Sequence, residues 1–223
     1  MIKAVLFDVF ETLITHYRAP LYFGTQMAAD AGVNASDWLP LWRATERDRS
    51  TGAKSLENVL AELLHHFDRY SPELLDRMAC KRTATVESCF DHLHPEILPL
   101  LDALRARGLK LGIISNCFSE EAAVIRRSVL APCFDRLCLS YELGVMKPDP
   151  AIYRLCTDAL GVTPEECLFV GDGGSHELEA ARNLGMTALQ AVWYLRPGVT
   201  PSQPRNDFPQ ARTPWEILNC LNP

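Results

Sequence analysis

The sequence has 223 residues, of which 48% are hydrophobic and 22% are charged, and its formal net charge is −6. This composition is typical of a globular chain with one large domain, or with a core and an inserted lobe. An acidic chain without a Lys/Arg-rich run argues against binding to nucleic acid or to an anionic membrane surface. No apolar stretch approaches the ~20 residues of a membrane span, so no membrane role is expected.

The eight cysteines are scattered along the chain, and no two of them form a Cys-x-x-Cys pair. Their positions favour reduced core residues over a disulfide framework. The same lack of paired spacing disfavours a zinc site. Because the chain enters an apolar segment directly at its N-terminus, we expect no signal peptide and a cytoplasmic location.

The first predicted element is a strand, formed by the apolar run that ends at Asp8. A continuous apolar run of this kind predicts a strand buried on both faces, as in a parallel sheet. Asp8 then lies at the carboxyl end of the strand, where ligands bind in open α/β sheets. A buried carboxylate is costly unless it is paired, hydrogen-bonded or metal-bound. The alternative is an aspartate that only caps the next turn.

The apolar residues from about His16 to about Cys89 recur at helical spacing, and no strand-like alternation interrupts them. We therefore predict an all-helical insertion over residues 16–92, with a core formed by residues 1–15 and 93–223. Within the insertion, residues 47–55 are predicted as a polar loop with Gly52 at its turn. Ser71 and Pro72 predict a helix start, because proline suits the first helical turn.

After the insertion the chain alternates between strands and helices. A helix is predicted over residues 95–107, followed by strands over 109–115, 136–140, 167–171 and 187–192 and helices over 120–130, 150–160 and 176–184. Such alternation with short links predicts an α/β fold, a Rossmann-like parallel sheet with helices on both faces. Residues 197–209 are proline-rich and predicted as irregular, and a last short helix begins near Thr213.

Polar residues follow three more predicted strands, as Asp8 follows the first. They are Ser115 with Asn116, then Lys147, then Asp172. Taken singly, each has an ordinary explanation: a helix cap, a solvated loop lysine and a turn residue. Because the carboxyl ends of parallel strands meet at one edge of a sheet, we expect these side chains to converge.

The ordered set of motifs resembles that of the haloacid dehalogenase superfamily of hydrolases. The matching motifs are Asp8-x-x-x-Thr12, Ser115-Asn116, Lys147-Pro148 and Gly171-Asp172. The helical insertion between the first and second motifs is similar to the first cap class of that family. The resemblance extends from Val5 to about Trp193.

The resemblance implies a catalytic role for three of these residues. Asp8 would be the nucleophile, whose carboxylate attacks phosphorus or carbon and forms a covalent aspartyl intermediate. Ser115, together with Asn116, would hold the oxygens of the group that is transferred. Lys147 would neutralise the negative charge on Asp8 and on the substrate, which otherwise repel each other.

The resemblance also implies a Mg²⁺ site. Asp8, Asp172 and the main-chain carbonyl of Phe10 would hold the ion, which prefers a few carboxylates together with substrate phosphate and water. Glu177 stands where family members usually carry aspartate, and it would reach the ion through a water molecule. The alternative for Glu177 is a first-turn acid that the helix dipole favours.

Three more residues have roles that the sequence does not decide. Thr12 and Arg49 are candidates for binding the substrate, although Arg49 has the alternative of lying in a solvated charged loop. Cys117 directly follows the second motif and should lie at the edge of the site, where partial exposure near Lys147 would favour its thiolate. The alternative for Cys117 is a buried, inert thiol.

One position departs from the pattern of the family's phosphatases. These enzymes carry a second aspartate two residues after the nucleophile, as a general acid and base, and here that position is Phe10. Family members that cleave carbon–halogen bonds have an aromatic residue there and need no metal, but they lack the acid at the position of Asp172. The motifs therefore support two chemistries.

We predict a Mg²⁺-dependent phosphohydrolase that acts through an aspartyl intermediate on a small phosphorylated metabolite. The alternatives are a metal-free hydrolase of the 2-haloacid dehalogenase type and a nearly inactive member that binds a phosphorylated ligand or a partner protein. The sequence leaves the choice between monomer and homodimer open.

Overall fold

A wholly parallel sheet of six strands forms the centre of the protein in the computed structural model, which describes residues 1–221. The strands are β1 (Ala4–Phe7), β2 (Lys110–Ser115), β3 (Arg136–Leu139), β4 (Cys167–Gly171), β5 (Thr187–Ala191) and β6 (Gln210–Ala211). Their order across the sheet is β3-β2-β1-β4-β5-β6, and every neighbouring pair is parallel. The predicted α/β fold is confirmed, and the two-residue strand β6 is an addition that the sequence did not indicate.

Five helices lie between β1 and residue 92, the end of the predicted insertion. They are α1 (Gly24–Ala31), α2 (Ala35–Ala44), α3 (Glu46–Ser50), α4 (Leu56–His66) and α5 (Pro72–Cys89). Four of these helices, α1, α2, α4 and α5, share an apolar cluster of their own, centred on fully buried Trp38, Leu60 and Met78. The Ser71 side chain accepts a hydrogen bond from the Leu74 N–H, as expected for the predicted helix start.

The prediction of a polar loop over residues 47–55 is wrong in its first half, which is helix α3. Acidic Glu46 and Asp48 lie in the first turn of this helix, where the helix dipole favours negative charge. Arg49 is only 3% exposed, because its guanidinium packs between two aromatic rings rather than in solvent.

Five more helices pack on the sheet. They are α6 (Ile97–Ala106), α7 (Ser119–Arg127), α8 (Ser140–Leu143), α9 (Pro150–Leu160) and α10 (Glu177–Asn183). Alternate residues of β1 face opposite sides of the sheet: Val5 and Phe7 pack in the apolar cluster of α6 and α7, and Leu6 packs in that of α9 and α10. Side chains alternate in this way along any strand, so the apolar run of β1 is explained by helices on both faces.

The strand order places a topological switch at β1. The chain builds β1, β2 and β3 in one direction, returns, and adds β4 to the other side of β1. Open α/β sheets bind ligands at such a switch, outside the carboxyl ends of the strands. The Asp8 N–H donates to the Val170 carbonyl at 2.9 Å, so the residues that follow β1 and β4 emerge side by side. No helix within residues 1–221 is long and apolar enough to cross a membrane.

Candidate active site

Four charged side chains meet at the carboxyl edge of the sheet. The Lys147 ammonium donates to Asp8 Oδ1 at 2.5 Å and also to Glu177 Oε2. Asp8, Asp172 and Glu177 each place a carboxylate oxygen within 4.8 Å of the other two. All four residues are buried, with exposed fractions between 1% and 7%. Asp8, Lys147 and Asp172 therefore come together as predicted, but only Asp8 and Asp172 directly follow strands. Lys147 comes from the segment after α8, and Glu177 from the start of α10.

The loop after β4 is shaped around two of these carboxylates. The Gly174 N–H donates to Asp172 Oδ1 at 2.9 Å, and the Gly173 N–H donates to Glu177 Oε1 at 3.0 Å. Gly173 has a φ of +95°, a conformation that favours glycine. A Cβ atom on Gly171 would collide with the Glu177 carboxylate, so glycine at the end of β4 lets Glu177 reach the site.

The second motif positions the lysine of the third. The Asn116 amide group donates to the Lys147 carbonyl at 2.9 Å, and its Oδ1 accepts from the Lys147 N–H at 2.7 Å. Asn116 borders the site cavity, and its side chain holds the Lys147 backbone on both sides of the residue. Ser115 is fully buried at the end of β2, where its hydroxyl donates to the Asn116 carbonyl at 3.3 Å.

Burial and mutual repulsion perturb the acids of this site. The pKa of Asp8 is raised, first by burial and further by Asp172, although Lys147 opposes the shift. The pKa of Glu177 is raised well above its usual value by burial, with added repulsion from Asp8 and Asp172. Burial alone would lower the pKa of Lys147, but Asp8 and Glu177 outweigh it and raise the value. Three carboxyl groups therefore lie around a single ammonium group.

The donor set fits a divalent cation with a preference for oxygen. Mg²⁺ is held in proteins by one or two carboxylates plus water and substrate phosphate. Asp8 and Asp172 supply such carboxylates, and a cation between them would offset the repulsion that raises the pKa of Asp8. Both carboxylate oxygens of Glu177 already accept hydrogen bonds, from Lys147 and Gly173. Glu177 therefore holds Lys147 in place through hydrogen bonds that do not involve a metal ion.

A cavity of about 400 Å³ opens above these charges and has two different walls. The core wall lies at the carboxyl edge of the sheet and consists of Asp8, Asn116, Lys147, Asp172 and Glu177. The aromatic wall consists of Phe10, Glu11, His16, Tyr17, Phe23 and Glu46. The aromatic wall was largely missed by the sequence reasoning, which singled out only the Phe10 position within it.

Ring contacts organise the aromatic wall. Phe10 stacks on His16, with ring centroids 4.5 Å apart and planes 18° from parallel, and His16 meets Phe23 edge-on at 5.3 Å. Glu11 holds this arrangement, because its carboxylate accepts from the Thr15 hydroxyl at 2.5 Å and from the His16 N–H at 3.0 Å. The single sequence hint was that His16 follows the first motif by only four residues.

Two predicted substrate-binding residues lie outside the cavity lining. The Thr12 hydroxyl is 3.4 Å from Asp8 Oδ2, and the Thr12 carbonyl accepts from Trp193 Nε1 at 2.9 Å. Thr12 is therefore a neighbour of the proposed nucleophile. Arg49 stacks between the rings of Trp42 and Phe118, with its guanidinium carbon 3.7 Å and 4.0 Å from their centroids.

Cys117 is 1% exposed, so of its two interpretations the structure supports the buried thiol and contradicts the hypothesis of a partly exposed one. Burial raises the pKa of Cys117 to about 12, and nearby Glu121 adds to the shift. The thiol is neutral at ordinary pH, because the low-dielectric interior penalises the thiolate. The alternative of a buried, inert thiol describes this residue.

Comparison with known proteins identifies one family. Residues 2–185 match the family model for haloacid dehalogenase-like hydrolases. The chain is 29% identical over 221 residues to a glyceraldehyde 3-phosphate phosphatase of Methanopyrus kandleri, covering 93% of this chain and 90% of the relative. It is 26% identical over 198 residues to an (S)-2-haloacid dehalogenase 4A of Burkholderia cepacia, covering 85% and 82%.

Solved structures of both kinds share the fold. A HAD phosphatase of Thermococcus onnurineus superposes with a TM-score of 0.68 at 24% identity, covering 99% of this chain and 98% of the other. An L-2-haloacid dehalogenase of Xanthobacter autotrophicus superposes with a TM-score of 0.65 at 19% identity, over the same shares of the two chains. The fold is thus common to phosphatases and dehalogenases.

Proposed function

The chain belongs to the haloacid dehalogenase-like hydrolases, and from that premise we propose that it is a Mg²⁺-dependent phosphohydrolase acting on a small phosphorylated metabolite. One observation carries the proposal: Asp172 lies with Asp8 and Glu177 in a buried cluster that has a single lysine. A cluster with this excess of negative charge is stable when a cation completes it. The phosphatase of Methanopyrus kandleri is similar along nearly the whole chain, which supports the same reading.

The proposed reaction has two balanced steps. A carboxylate oxygen of Asp8 forms a bond to phosphorus while the bond from phosphorus to the substrate alcohol breaks, leaving an aspartyl phosphate. The departing alkoxide takes a proton from the solvent or from the substrate itself. Water then attacks phosphorus and releases a proton to the solvent, the bond to Asp8 breaks, and phosphate and free Asp8 result. Lys147 neutralises charge on Asp8 and on the phosphoryl oxygens, and Thr12 lies against the second Asp8 oxygen. Bound Mg²⁺, held by Asp8, Asp172 and the Phe10 carbonyl, would supply further charge neutralisation.

Phe10 restricts the substrates that react well. A phenylalanine side chain cannot give a proton to the departing alcohol, and general acid help is typically worth ~10²–10⁴ in rate. The first step therefore favours leaving groups that need little protonation, such as aryl or acyl groups. Alkyl phosphates expel a strongly basic alkoxide and should react slowly unless the substrate or solvent supplies a proton.

We further propose that residues 16–92 act as a cap over a core of residues 1–15 and 93–223, in the manner of the family's first cap class. The separate apolar cluster of α1, α2, α4 and α5 supports this division. Polar contacts join the two parts at the start of α7: the Leu56 N–H donates to the Ser119 hydroxyl at 2.9 Å, and Arg82 pairs with Glu120 and Glu121.

A second candidate function is metal-free hydrolysis of a 2-haloacid. Phe10 favours it, because halide leaves without a proton, and the relative from Burkholderia cepacia carries that activity in its name. Against it stands the core wall, where three carboxylates would repel the carboxylate of a haloacid.

The two candidates are separated by their need for metal. Wild-type protein is assayed on a panel of aryl, acyl and alkyl phosphates and on 2-chloropropionate, with Mg²⁺ and with a chelator, and Asp8→Asn serves as the blank. We expect Mg²⁺-dependent phosphate release that chelation suppresses and that Asp172→Ala reduces to the same extent. Halide release that persists after chelation, without phosphate release, would establish the second candidate instead.

A further inference from the structure

The aromatic wall of the active-site cavity carries information about the substrate. We propose that this protein selects phosphate monoesters whose alcohol part bears a positive charge, that is, phosphorylated amino alcohols or their methylated forms. A nearby ammonium group withdraws electrons and lowers the pKa of the departing alcohol, so these esters suffer less from the missing acid at Phe10 than neutral alkyl phosphates do. The ammonium group would lie against the rings of the aromatic wall, with Glu46 as its counter-charge. This inference rests on the proposed function, since it assigns the substrate class of the same site.

The charges that line the cavity are the first argument. Asp8, Glu11, Glu46, Asp172 and Glu177 border it, whereas Lys147 is the only lysine or arginine that does so in the described part of the chain. The Lys147 ammonium is already bound by Asp8 and Glu177. One divalent cation would be engaged by the phosphate. In the described part of the chain, no further lysine or arginine then lines the cavity to receive a carboxylate on the alcohol part of a substrate.

Glu46 is the second argument. It is exposed at the first position of α3 and borders the cavity from the side of the helical insertion. Within residues 1–221, its carboxylate makes no hydrogen bond or ion pair. Arg49 lies one helical turn away, but its guanidinium is held between Trp42 and Phe118 and donates to Thr45 and to the Trp42 carbonyl. The Glu46 charge is therefore available to a ligand.

The rings are the third argument. The faces of aromatic rings attract cations within about 6 Å of the ring centroid, and quaternary ammonium groups are recognised in this way. Phe10, Tyr17 and Phe23 all border the cavity, beside the Glu11 carboxylate. His16 covers one face of Phe10, and the Arg82 guanidinium already lies 5.3 Å from the Phe23 centroid, so Tyr17 and the other face of Phe10 are the rings left for a ligand. The pKa of Tyr17 is raised by burial and by the nearby charges of Glu11 and Asp172, so its phenol stays neutral in a negative potential. The wall thus combines π faces with negative charge.

The size of the cavity agrees with this class of substrate. A volume of about 400 Å³ lies in the range of small-molecule sites, and a phosphate joined to a short amino alcohol is a ligand of that scale. An anionic phosphate end would lie on the core wall with Lys147 and Mg²⁺. The cationic end would lie on the aromatic wall, so that the two ends of the ligand meet opposite charges.

Binding to a variant that cannot react tests the inference without any contribution from leaving-group chemistry. The Asp8→Asn protein with Mg²⁺ is titrated calorimetrically with phosphocholine, with its uncharged isostere 3,3-dimethylbutyl phosphate, and with the phosphate ester of 3-hydroxypropionate. We expect phosphocholine to bind about tenfold more tightly than the isostere, as one desolvated cation–π contact with a counter-charge allows. The carboxylate ester should bind most weakly.

Variants on the same background assign the preference to Glu46. Adding Glu46→Gln should reduce the preference for phosphocholine over the isostere several-fold, and Glu46→Lys should favour the carboxylate ester. Glu57→Gln, at an exposed acid of α4 outside the cavity, is the matched control and should keep the preference.

The possible outcomes separate this inference from the proposed function. Equal binding of phosphocholine and the isostere, or tighter binding of the carboxylate ester, would overturn the inference alone if wild type hydrolyses aryl phosphates with Mg²⁺. Absence of binding by all three phosphate esters would overturn the inference, and it would overturn the proposed function as well only if wild type also failed to hydrolyse aryl phosphates with Mg²⁺. A preference for phosphocholine that survives Glu46→Lys would overturn the role of Glu46 and the inference with it.

Discussion

The two walls of the active-site cavity differ in how they are held. Core-wall residues lie at the carboxyl edge of the sheet and are joined by direct hydrogen bonds. For example, Asn116 Oδ1 accepts from the Lys147 N–H at 2.7 Å, and Asn116 Nδ2 donates to the Lys147 carbonyl at 2.9 Å. The aromatic wall is built from ring contacts and is ordered mainly by Glu11. Hydrogen bonds between charged, buried groups have strict geometry, whereas ring contacts tolerate the substitution of one apolar side chain by another of similar size. The core wall suits chemistry, and the aromatic wall suits selection among substrates.

The helical insertion, which supplies most of the aromatic wall, is attached to the core by charge. Arg82 of α5 donates to Glu120 Oε1 at 3.0 Å and also to Glu121, and all three side chains are buried. The core wall, by contrast, is continuous with the sheet. If the two walls have separate tasks, changes on each should have separable effects.

The largest expected effect is on the core wall, from Asp8→Asn. Asparagine has nearly the same shape but cannot attack phosphorus, so turnover should fall by about 10⁴-fold or more. Lys147 keeps its contact with Glu177, so the melting temperature should stay within about 4 °C of wild type. Steady-state assays and thermal unfolding measure the two quantities. Asp76→Asn on the exposed face of α5 is the control, and activity above a tenth of wild type in Asp8→Asn would remove Asp8 from its role.

Removing the ion pairs that join the insertion to the core should lower the free energy of unfolding. Arg82→Ala leaves Glu120 and Glu121 buried without their cation, which typically costs about 3–5 kcal/mol. The pKa of Glu120 is already raised by burial and by Glu121, so the folded variant binds protons more readily than the unfolded chain. The free energy of unfolding of the variant should therefore fall as the pH rises above the pKa that Glu120 has in the unfolded chain.

Urea unfolding at several pH values measures this loss. Arg77→Ala, an exposed arginine in the same helix, is the matched control and should change stability little. A loss in Arg82→Ala no larger than in Arg77→Ala would mean that charge does not attach the insertion to the core.

A smaller effect is expected from substitution of Phe10, which lies where the aromatic wall meets the core wall. Wild type should show a steep dependence of rate on the pKa of the leaving group. Phe10→Asp should raise the rate on alkyl phosphates by ~10-fold out of the ~10²–10⁴ that a general acid can supply. The gain is limited because the surroundings are built around a ring that stacks on His16.

Plots of log rate against leaving-group pKa compare the two proteins. Phe10→Asn is the matched control, because asparagine is similar in size to aspartate but cannot act as a general acid. Its plot of log rate against leaving-group pKa should stay as steep as that of wild type. A flat plot for wild type would show that an acid is supplied elsewhere and that this account of Phe10 is wrong.

The smallest effect concerns Cys117 beside the core wall. Because it is buried and its pKa is raised to about 12, iodoacetamide should leave it unmodified in the folded protein. Exposed Cys80 should be alkylated under the same conditions. Peptide mass spectrometry reads both sites, and labelling of Cys117 as fast as Cys80 would show that the core wall opens to solvent.

The same contrast between the walls explains what could be predicted from the sequence. Asp8 and Asp172 directly follow apolar strands, and parallel strands must bring such positions to one edge. Lys147 follows α8 instead of a strand, so strand pairing alone does not fix its position. Asn116 was placed correctly at that edge, but its hold on the Lys147 backbone depends on loop geometry that spacing does not encode. The α/β fold and the helices on both faces followed from the alternation of elements.

The aromatic wall could not be derived in this way. His16, Tyr17 and Phe23 lie in irregular or short helical segments, where no periodicity relates a residue to a direction in space. Arg49 is predicted from its polar neighbours to bind substrate or else to lie in a solvated loop, and the structure shows neither arrangement. Its burial depends on Phe118, a residue distant in sequence whose ring only the folded chain brings near. Tertiary contacts of this kind override local patterns.

The fate of oxygen from water tests the central claim most directly. Wild type is allowed many turnovers in ¹⁸O-labelled water, and both the released phosphate and the peptide that contains Asp8 are examined by mass spectrometry. In the proposed reaction water attacks phosphorus, so we predict label in phosphate and none in Asp8. Hydrolysis of a carbon ester on Asp8, as in removal of halide from a 2-haloacid, would place the label in the Asp8 carboxylate. Label in Asp8, accompanied by halide release without Mg²⁺, would contradict the account.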